Sequence, residues 1–208
     1  MSPRGVAIPD LRERLFDAAE RVLAREGPAA LTSRAITGEA GCAKGLLHAH
    51  FDGLDEFAAE LVLDRFARTA RQAGGLPARA GQATVADNLV TVALALLNSL
   101  GPAVVGLAMS RPAASLRIRR ALEAGAPGFT AIQNAITTYL DAERRLGRLP
   151  DGTDTASVAL ALVGTVHHLL MTSWAGGPDP REQTERLVAL LIGATPGAAP
   201  ASPAAPHR

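Results

Sequence analysis

Lys44, His48 and His50 lie close together in the stretch AGCAKGLLHAHF, Ala40 to Phe51, and Lys44 is the only lysine in a chain whose other basic side chains are arginines. Three kinds of chemistry are open to such a group. Metal binding fits poorly, because His48 and His50 are two apart and leave a helix on different faces. His167 and His168 are adjacent, with the same difficulty, and the ligand clusters that zinc needs are missing. Catalysis fits poorly too, since no paired carboxylates, nucleophile elbow or metal cluster stands out. No enzyme activity, metal or cofactor is expected. What remains is binding to an anionic partner, for which a lysine and two imidazoles on a short helix are suited.

Composition narrows the partner. The chain has 208 residues, 48% hydrophobic and 20% charged, which is enough apolar material for a real core. A net charge of +1 is not that of a protein that coats nucleic acid indiscriminately, so any such contact must be local. A single cysteine, Cys42, excludes an intrachain disulfide framework and fits a reducing compartment. The start, MSPRGVAIPDLRERL, turns charged at once and lacks the apolar core of a signal peptide, which points to the cytoplasm. The segment Thr155 to Ala175 carries no Asp, Glu, Lys or Arg. With His167 and His168 inside it and no basic flank, it reads as a helix buried on both faces rather than a membrane span.

Punctuation divides the chain into helices, with no strand-like alternation, so the fold class is all-α. Asp10 and Glu13 make a capping box before the stripe Leu11, Leu15, Ala18, Ala19, Val22, and Gly27-Pro28 end the first helix. Short helices are expected at Ser33 to Glu39 and Ala43 to Phe51, and a long one from about Asp55 to the Gly/Pro stretch Gly74 to Gly81. Breaks at Gly101-Pro102, Arg111-Pro112, Pro127-Gly128, Pro150-Asp151-Gly152 and Gly176-Gly177-Pro178 mark about six more helices. The last opens with Asp179 as cap, Pro180 at its first position and Glu182. The run TPGAAPASPAAPHR cannot pack and is expected to be a disordered tail, residues 195–208.

Residues 33–50 read as two helices joined by a tight turn at Gly41, with Thr32 and Ser33 available to cap the first. Ile36, Ala40, Leu47 and Phe51 would face inward. Ala43, Lys44, Gly45, His48 and His50 would then be left on the open face. That is the layout of a helix-turn-helix, whose second helix enters the major groove.

The stretch RERLFDAAERVLAREGPAALTSRAITGEAGCAKGLLHAHFDGLDEF, Arg12 to Phe57, resembles the N-terminal signature of the tetracycline-repressor (TetR) family of transcriptional regulators. The shared features are Ala18-Ala19, Gly27, Thr32-Ser33, Ile36, Ala40-Gly41, Gly45, Leu47, His50-Phe51 and the acidic start of the fourth helix. Departures are Thr37 for alanine, Cys42-Ala43 for valine-serine, His48 for tyrosine and Leu54 for lysine. The last two fall where the family touches DNA phosphates. YLDAERRLGRL, Tyr139 to Leu149, is also similar to some members. The resemblance implies an N-terminal three-helix helix-turn-helix DNA-binding domain, residues 8–53, and a larger helical effector-binding and dimerisation domain, residues 54–194. The DNA-binding set it implies, together with the open-face argument, is Thr32, Ser33, Arg34, Ala43, Lys44, Gly45, Leu46, His48 and His50.

The expected function is that of a repressor, released from a palindromic double-stranded operator by a small lipophilic effector. The alternative is a ligand-binding or interaction protein on the same scaffold with weakened operator binding. Homodimerisation is expected through Thr155 to Ala175 and Asp179 to Gly193, as a twofold four-helix bundle. Leu96, Met109, Phe129, Ile132, Ile136, His168 and Met171 are the candidate pocket residues, chosen as large apolar or amphipathic side chains on the central helices. Trp174, Phe129, Met109 and Met171 equally suit a plain core, and Cys42 suits a small buried hydrophobe.

Overall fold

The computed structural model describes residues 11–99, 102–172 and 177–193, and every regular element among them is helical. The expected cap at Asp10, Trp174 and the tail 195–208 lie outside the described residues. The helices are α1 (Leu11–Glu26), α2 (Ser33–Glu39), α3 (Leu46–His50), α4 (Leu54–Gly74), α5 (Val85–Ser99), α6 (Pro102–Ser110), α7 (Pro112–Glu123), α8 (Phe129–Arg145), α9 (Thr155–Thr172) and α10 (Pro180–Leu191). Short 3-10 turns occupy Pro28–Ala30 and Leu76–Arg79.

The chain divides into two compact units that do not follow its linear order. Among the described residues, the first is built from 11–67 and 102–128, the second from 68–99, 129–172 and 177–193. The helices α1, α6 and α7 pack in one unit. The physical reason lies in pairings that span about half the first unit's sequence. Arg111, at the α6–α7 corner, donates to Asp55 at 2.6 Å, Arg117 stands 3.8 Å from Glu56, and Gly106 gives Pro28 room to approach α6. Such contacts cannot be read from local pattern.

In the first unit, α1 buries Leu11, Leu15, Phe16, Ala18, Ala19, Val22 and Leu23, the stripe expected of a 3.6-residue period. Phe16, Phe51 and Phe57 form an aromatic cluster with ring centroids 4.9–6.0 Å apart, the Phe51–Phe57 pair edge to face. It joins α1, the end of α3 and the start of α4. Arg12 lies over Phe16 and Phe51 and pairs with Glu60. Arg65 of α4, its side chain 5% exposed, is held by α1: two bonds to Glu20 at 2.6 and 3.0 Å, with Asp17 at 3.2 Å and Glu13 at 3.4 Å.

In the second unit, Leu89, Val92, Ala93 and Leu96 of α5 and Ile132, Ile136, Tyr139 and Leu140 of α8 are buried. The inner face of α9 is buried as well, and it includes Val158, Leu162, Val166 and Leu169. A polar hub closes one end of this core. Glu143, fully buried, accepts from the Gly81 amide at 3.3 Å and pairs with Arg148 at 3.2 Å, while Asn88 donates to the Tyr139 hydroxyl at 3.0 Å and to Gln82 O at 2.8 Å. Arg148 also donates to Ala83 O, and Ala83 has φ +50°, unusual for a residue with a side chain. The hub thus fastens residues 81–83 to α8.

In the single chain the described part of this segment, Thr155–Thr172, is not buried all round, and residues 173–175 lie outside the described residues. One face of α9 is covered, but Ala156, Leu160, Gly164, His167, His168 and Met171 are exposed. The composition test failed because a helix without charges need not lack a free face when its exposed residues are small or apolar. By length and composition α9 is the one helix among the described residues apolar enough to cross a membrane. The end of the chain follows the capping rule: Asp179 accepts from the Arg181 amide at 2.8 Å with Pro180 at the first helical position.

Candidate nucleic-acid interface

The candidate site is a helix pair carried on α1. Thr32 caps α2 by accepting from the Ala35 amide at 3.1 Å, and Thr37 returns its hydroxyl to Ser33 O at 2.8 Å. Ser33, expected to share the capping, contributes its carbonyl instead. Gly41 has φ +62°, the left-handed conformation that lets the chain leave α2 and turn sharply. The turn is held by the Cys42 amide to Thr37 O at 3.0 Å and the Leu46 amide to Ala43 O at 3.0 Å.

Burial sorts the residues into two faces. Ile36 and Leu47 are fully buried, and Ala40 and Phe51 nearly so. Ala43, Lys44, Gly45, His48 and His50 are exposed, as are Thr32 and Arg34, with Leu46 and Ser33 half-buried. The structure therefore brings all nine candidate residues into one helix pair and its turn. One boundary differs: α3 is Leu46–His50, shorter than Ala43 to Phe51, because Ala43 to Leu46 closes as a turn before the helix begins. Lys44 and Gly45 thus sit on that turn, ahead of the helix. Cys42 is half-buried, more open than a core residue in valine's place would be.

Sequence reasoning missed the side chains of α1 that touch this pair. Arg14 donates to Ala40 O at 2.9 Å, Arg21 to Glu39 at 2.7 Å and Arg25 to Glu39 at 3.2 Å. The bonds from Arg21 and then Arg25 hold the Glu39 carboxyl below the usual carboxylate range, outweighing the small opposing effect of burial. The signal was present as arginines at positions 14, 21 and 25, spaced to share one stripe of a helix, but their partner was not readable.

The candidate pocket residues differ in burial. Leu96, Ile132 and Ile136 are buried core of the second unit, and Phe129 is half-buried with its ring 5.2 Å from that of His167. Met171 is exposed, and Met109, 66% exposed, belongs to the first unit, since α6 turns Val104 and Leu107 inward instead. His168 lines a cleft of about 370 Å³, with Leu169, Thr172, Gly177, Pro178, Pro180 and Gln183. No group of three or more His, Cys, Asp or Glu among the described residues could hold a metal ion.

Residues 15–61 match the family of bacterial regulatory proteins, tetR family, over its N-terminal domain. No curated protein matches the chain. Among solved structures, it is similar to a TetR-family transcriptional regulator of Mesorhizobium loti, at 16% identity and a TM-score of 0.67, covering 91% of this chain and 96% of that one. It is also similar to the transcriptional regulator FadR of Bacillus subtilis, solved with stearoyl-CoA, at 19% identity and TM-score 0.62, covering 88% and 98%. A third is a TetR transcriptional regulator of Streptomyces coelicolor, at 24% identity and TM-score 0.56, covering 88% and 96%. At these identities the likeness establishes the fold. Residues 15–61 thus match the tetR-family N-terminal domain, and the described residues have the all-α fold seen in TetR-family regulators.

Proposed function

We propose that the protein is a sequence-specific DNA-binding transcriptional regulator, a repressor whose operator affinity is lowered by a small lipophilic effector. The observation that carries this reading is the sorting of the α2–α3 pair. Its apolar residues are sunk against α1 and α4, while Lys44, His48, His50 and Arg34 stand exposed beside the small residues Ala43 and Gly45. Small residues at the start of a reading helix permit close approach to the groove, and the cations meet phosphate or guanine. Selection of binding sites from random duplexes by the purified protein should yield a discrete palindromic consensus. Lys44→Ala should then weaken binding and make the slope of log K against log salt shallower by about 0.9 if Lys44 meets one phosphate. If it reads a base, preference at a single base pair relaxes instead. No enrichment over random DNA would leave the alternative, a ligand-binding protein on this scaffold.

A palindrome requires a twofold dimer, and α9 and α10 supply a face for one. Leu160 is 59% exposed, Met171 41% and Leu190 78%, and the exposed side of α9 carries no Asp, Glu, Lys or Arg. Two such helices from each copy form a four-helix bundle, with half-sites about one duplex turn or a multiple apart. Light scattering at micromolar concentration should report a dimer, and Leu160→Glu a monomer, because two carboxylates would have to be buried at the joint. A wild-type monomer would overturn this part of the reading.

The effector is lipophilic on two grounds: the interior of the second unit is built mainly of aliphatic side chains, and FadR of the same fold was solved with stearoyl-CoA. An effector releases DNA only by binding more tightly to a conformation with lower operator affinity. A thermal-shift screen of fatty acids and acyl thioesters, followed by operator release, tests it. Ligands that raise the melting temperature and leave operator affinity unchanged would remove the inducer role.

A further inference from the structure

The last carbonyls of a helix have no partner within it, and at the end of α2 that deficit falls where the chain turns toward α3. Ala40 caps α2 in a helical conformation (φ −74°, ψ −9°), and Gly41 follows at φ +62°. Arg14 Nη2 donates to Ala40 O at 2.9 Å across the gap between α1 and α2. A guanidinium is well placed there, since it satisfies the carbonyl and opposes the negative end of the helix. Further along the same stripe of α1, Arg21 and Arg25 hold Glu39, the residue before Ala40. Three arginines of one helix thus grip Glu39, the last residue of α2, and its cap Ala40. From Ala40 to the start of α3 at Leu46 the chain runs only a tight turn, so little slack separates the gripped point from Lys44 and His48.

We infer that Arg14 is a positioning residue for DNA reading: it fixes the aim of the Gly41–Leu46 turn and of α3 through the Ala40 carbonyl, without itself touching DNA. The inference rests on α2 and α3 being the DNA reader, and it assigns a role to a residue outside that pair. Arg21 and Arg25 support the same end by neutralising Glu39, whose carboxylate would otherwise stand uncompensated beside the proposed phosphate contacts.

The test uses the full chain with Arg14→Met, which keeps the long stem and the helix propensity but loses the donors. Arg14→Lys serves as the conservative companion. Operator affinity of Arg14→Met should fall about tenfold, the worth of one charge-assisted hydrogen bond, with base preference blurred at several positions of the half-site. The slope of log K against log salt should stay at the wild-type value. A slope shallower by about 0.9 would show that Arg14 binds a phosphate, and the positioning role would be wrong. Arg14→Lys should recover part of the affinity, because an ammonium can still donate to Ala40 O. A second readout needs no DNA: amide hydrogen exchange over residues 41–46 should quicken in Arg14→Met while α1 exchanges as in the wild type. Unchanged exchange there overturns the inference. If the wild type selects no operator, the DNA reading has failed, and the exchange measurement still decides whether Arg14 holds the turn.

Discussion

Replacing Glu143 by alanine should cost about 3 kcal/mol of stability and lower the melting temperature by roughly 6–12 °C. Glu143 is fully buried, and its removal strands several groups at once. The Gly81 amide loses its acceptor, and the Arg148 guanidinium, 3.2 Å away, loses its counter-charge inside the fold. An unpaired buried charge costs more than the pair is worth, although Arg148 keeps 29% of its side chain exposed, which holds the estimate at the lower end. Glu143→Gln keeps an acceptor for Gly81 and should cost less than half as much. Thermal and urea melts measure both, and a Glu143→Ala protein that melts with the wild type would refute the hub's structural role.

The same hub predicts an alkaline limit. Burial pushes the Tyr139 hydroxyl well above the usual phenol range, and the neighbouring Glu143 carboxylate adds to this, while the Asn88 amide acts in the opposite direction. A value raised in the folded state means stability that is fully present below about pH 10, where the unfolded phenol titrates, and that is lost as pH rises from there through the folded value. Melts of Tyr139→Phe should therefore depend less on pH above about 10 than those of the wild type.

What could be read in advance was what local pattern dictates. Gly41 was legible because a sharp turn between helices needs a left-handed residue, and Ile36, Leu47 and Phe51 because a 3.6-residue period sends them inward. The open face followed by subtraction, and with it Ala43, Lys44, Gly45, His48 and His50, whereas Thr32, Ser33, Arg34 and Leu46 came with the family resemblance. The start of α3 was not legible, since Ala43 to Leu46 has a composition that suits a turn or a helix equally, and tertiary closure decides. The grouping of α6 and α7 with the N-terminal helices depends on Arg111–Asp55 and Gly106–Pro28, pairs distant in sequence whose members look like ordinary surface or loop residues. The pocket set could not be told from core by local pattern, for a related reason. Large apolar side chains are what a filled core needs, so Leu96, Ile132 and Ile136 report packing, and exposed Met109 and Met171 report neither core nor cavity. The Arg14 grip on Ala40 was hidden because its acceptor is a backbone carbonyl, which every residue has.

The second large effect is expected at Arg65. Its side chain is 5% exposed, yet its guanidinium donates to four carboxylates, those of Glu20, Asp17, Glu13 and Asp64, at 2.6–3.4 Å. The Glu20 contact is bidentate, and the guanidinium plane also lies 5.9 Å from the Phe16 ring centre. Burial alone would make this charge easier to remove, but the hydrogen bonds and the charges around it, those of Glu20 foremost, hold the proton more firmly than in a free arginine. Arg65→Met keeps most of the stem and leaves Glu13, Asp17 and Glu20 repelling one another along α1. Because those carboxylates keep 32–49% of their side chains in water, part of the loss is screened, and the expected cost is about 2–3 kcal/mol. Most of that loss should appear between α1 and α4, the helices that flank the α2–α3 pair. Hydrogen exchange in α1 should therefore quicken while α9 exchanges as before, and operator binding should weaken through loss of the folded reading unit, without a change in which bases are preferred. Lowering the salt concentration should sharpen the defect, since repulsion among the stranded carboxylates is then less screened. A variant in which α1 and α9 lose protection equally would show that Arg65 stabilises the chain in general rather than fastening α1 to α4.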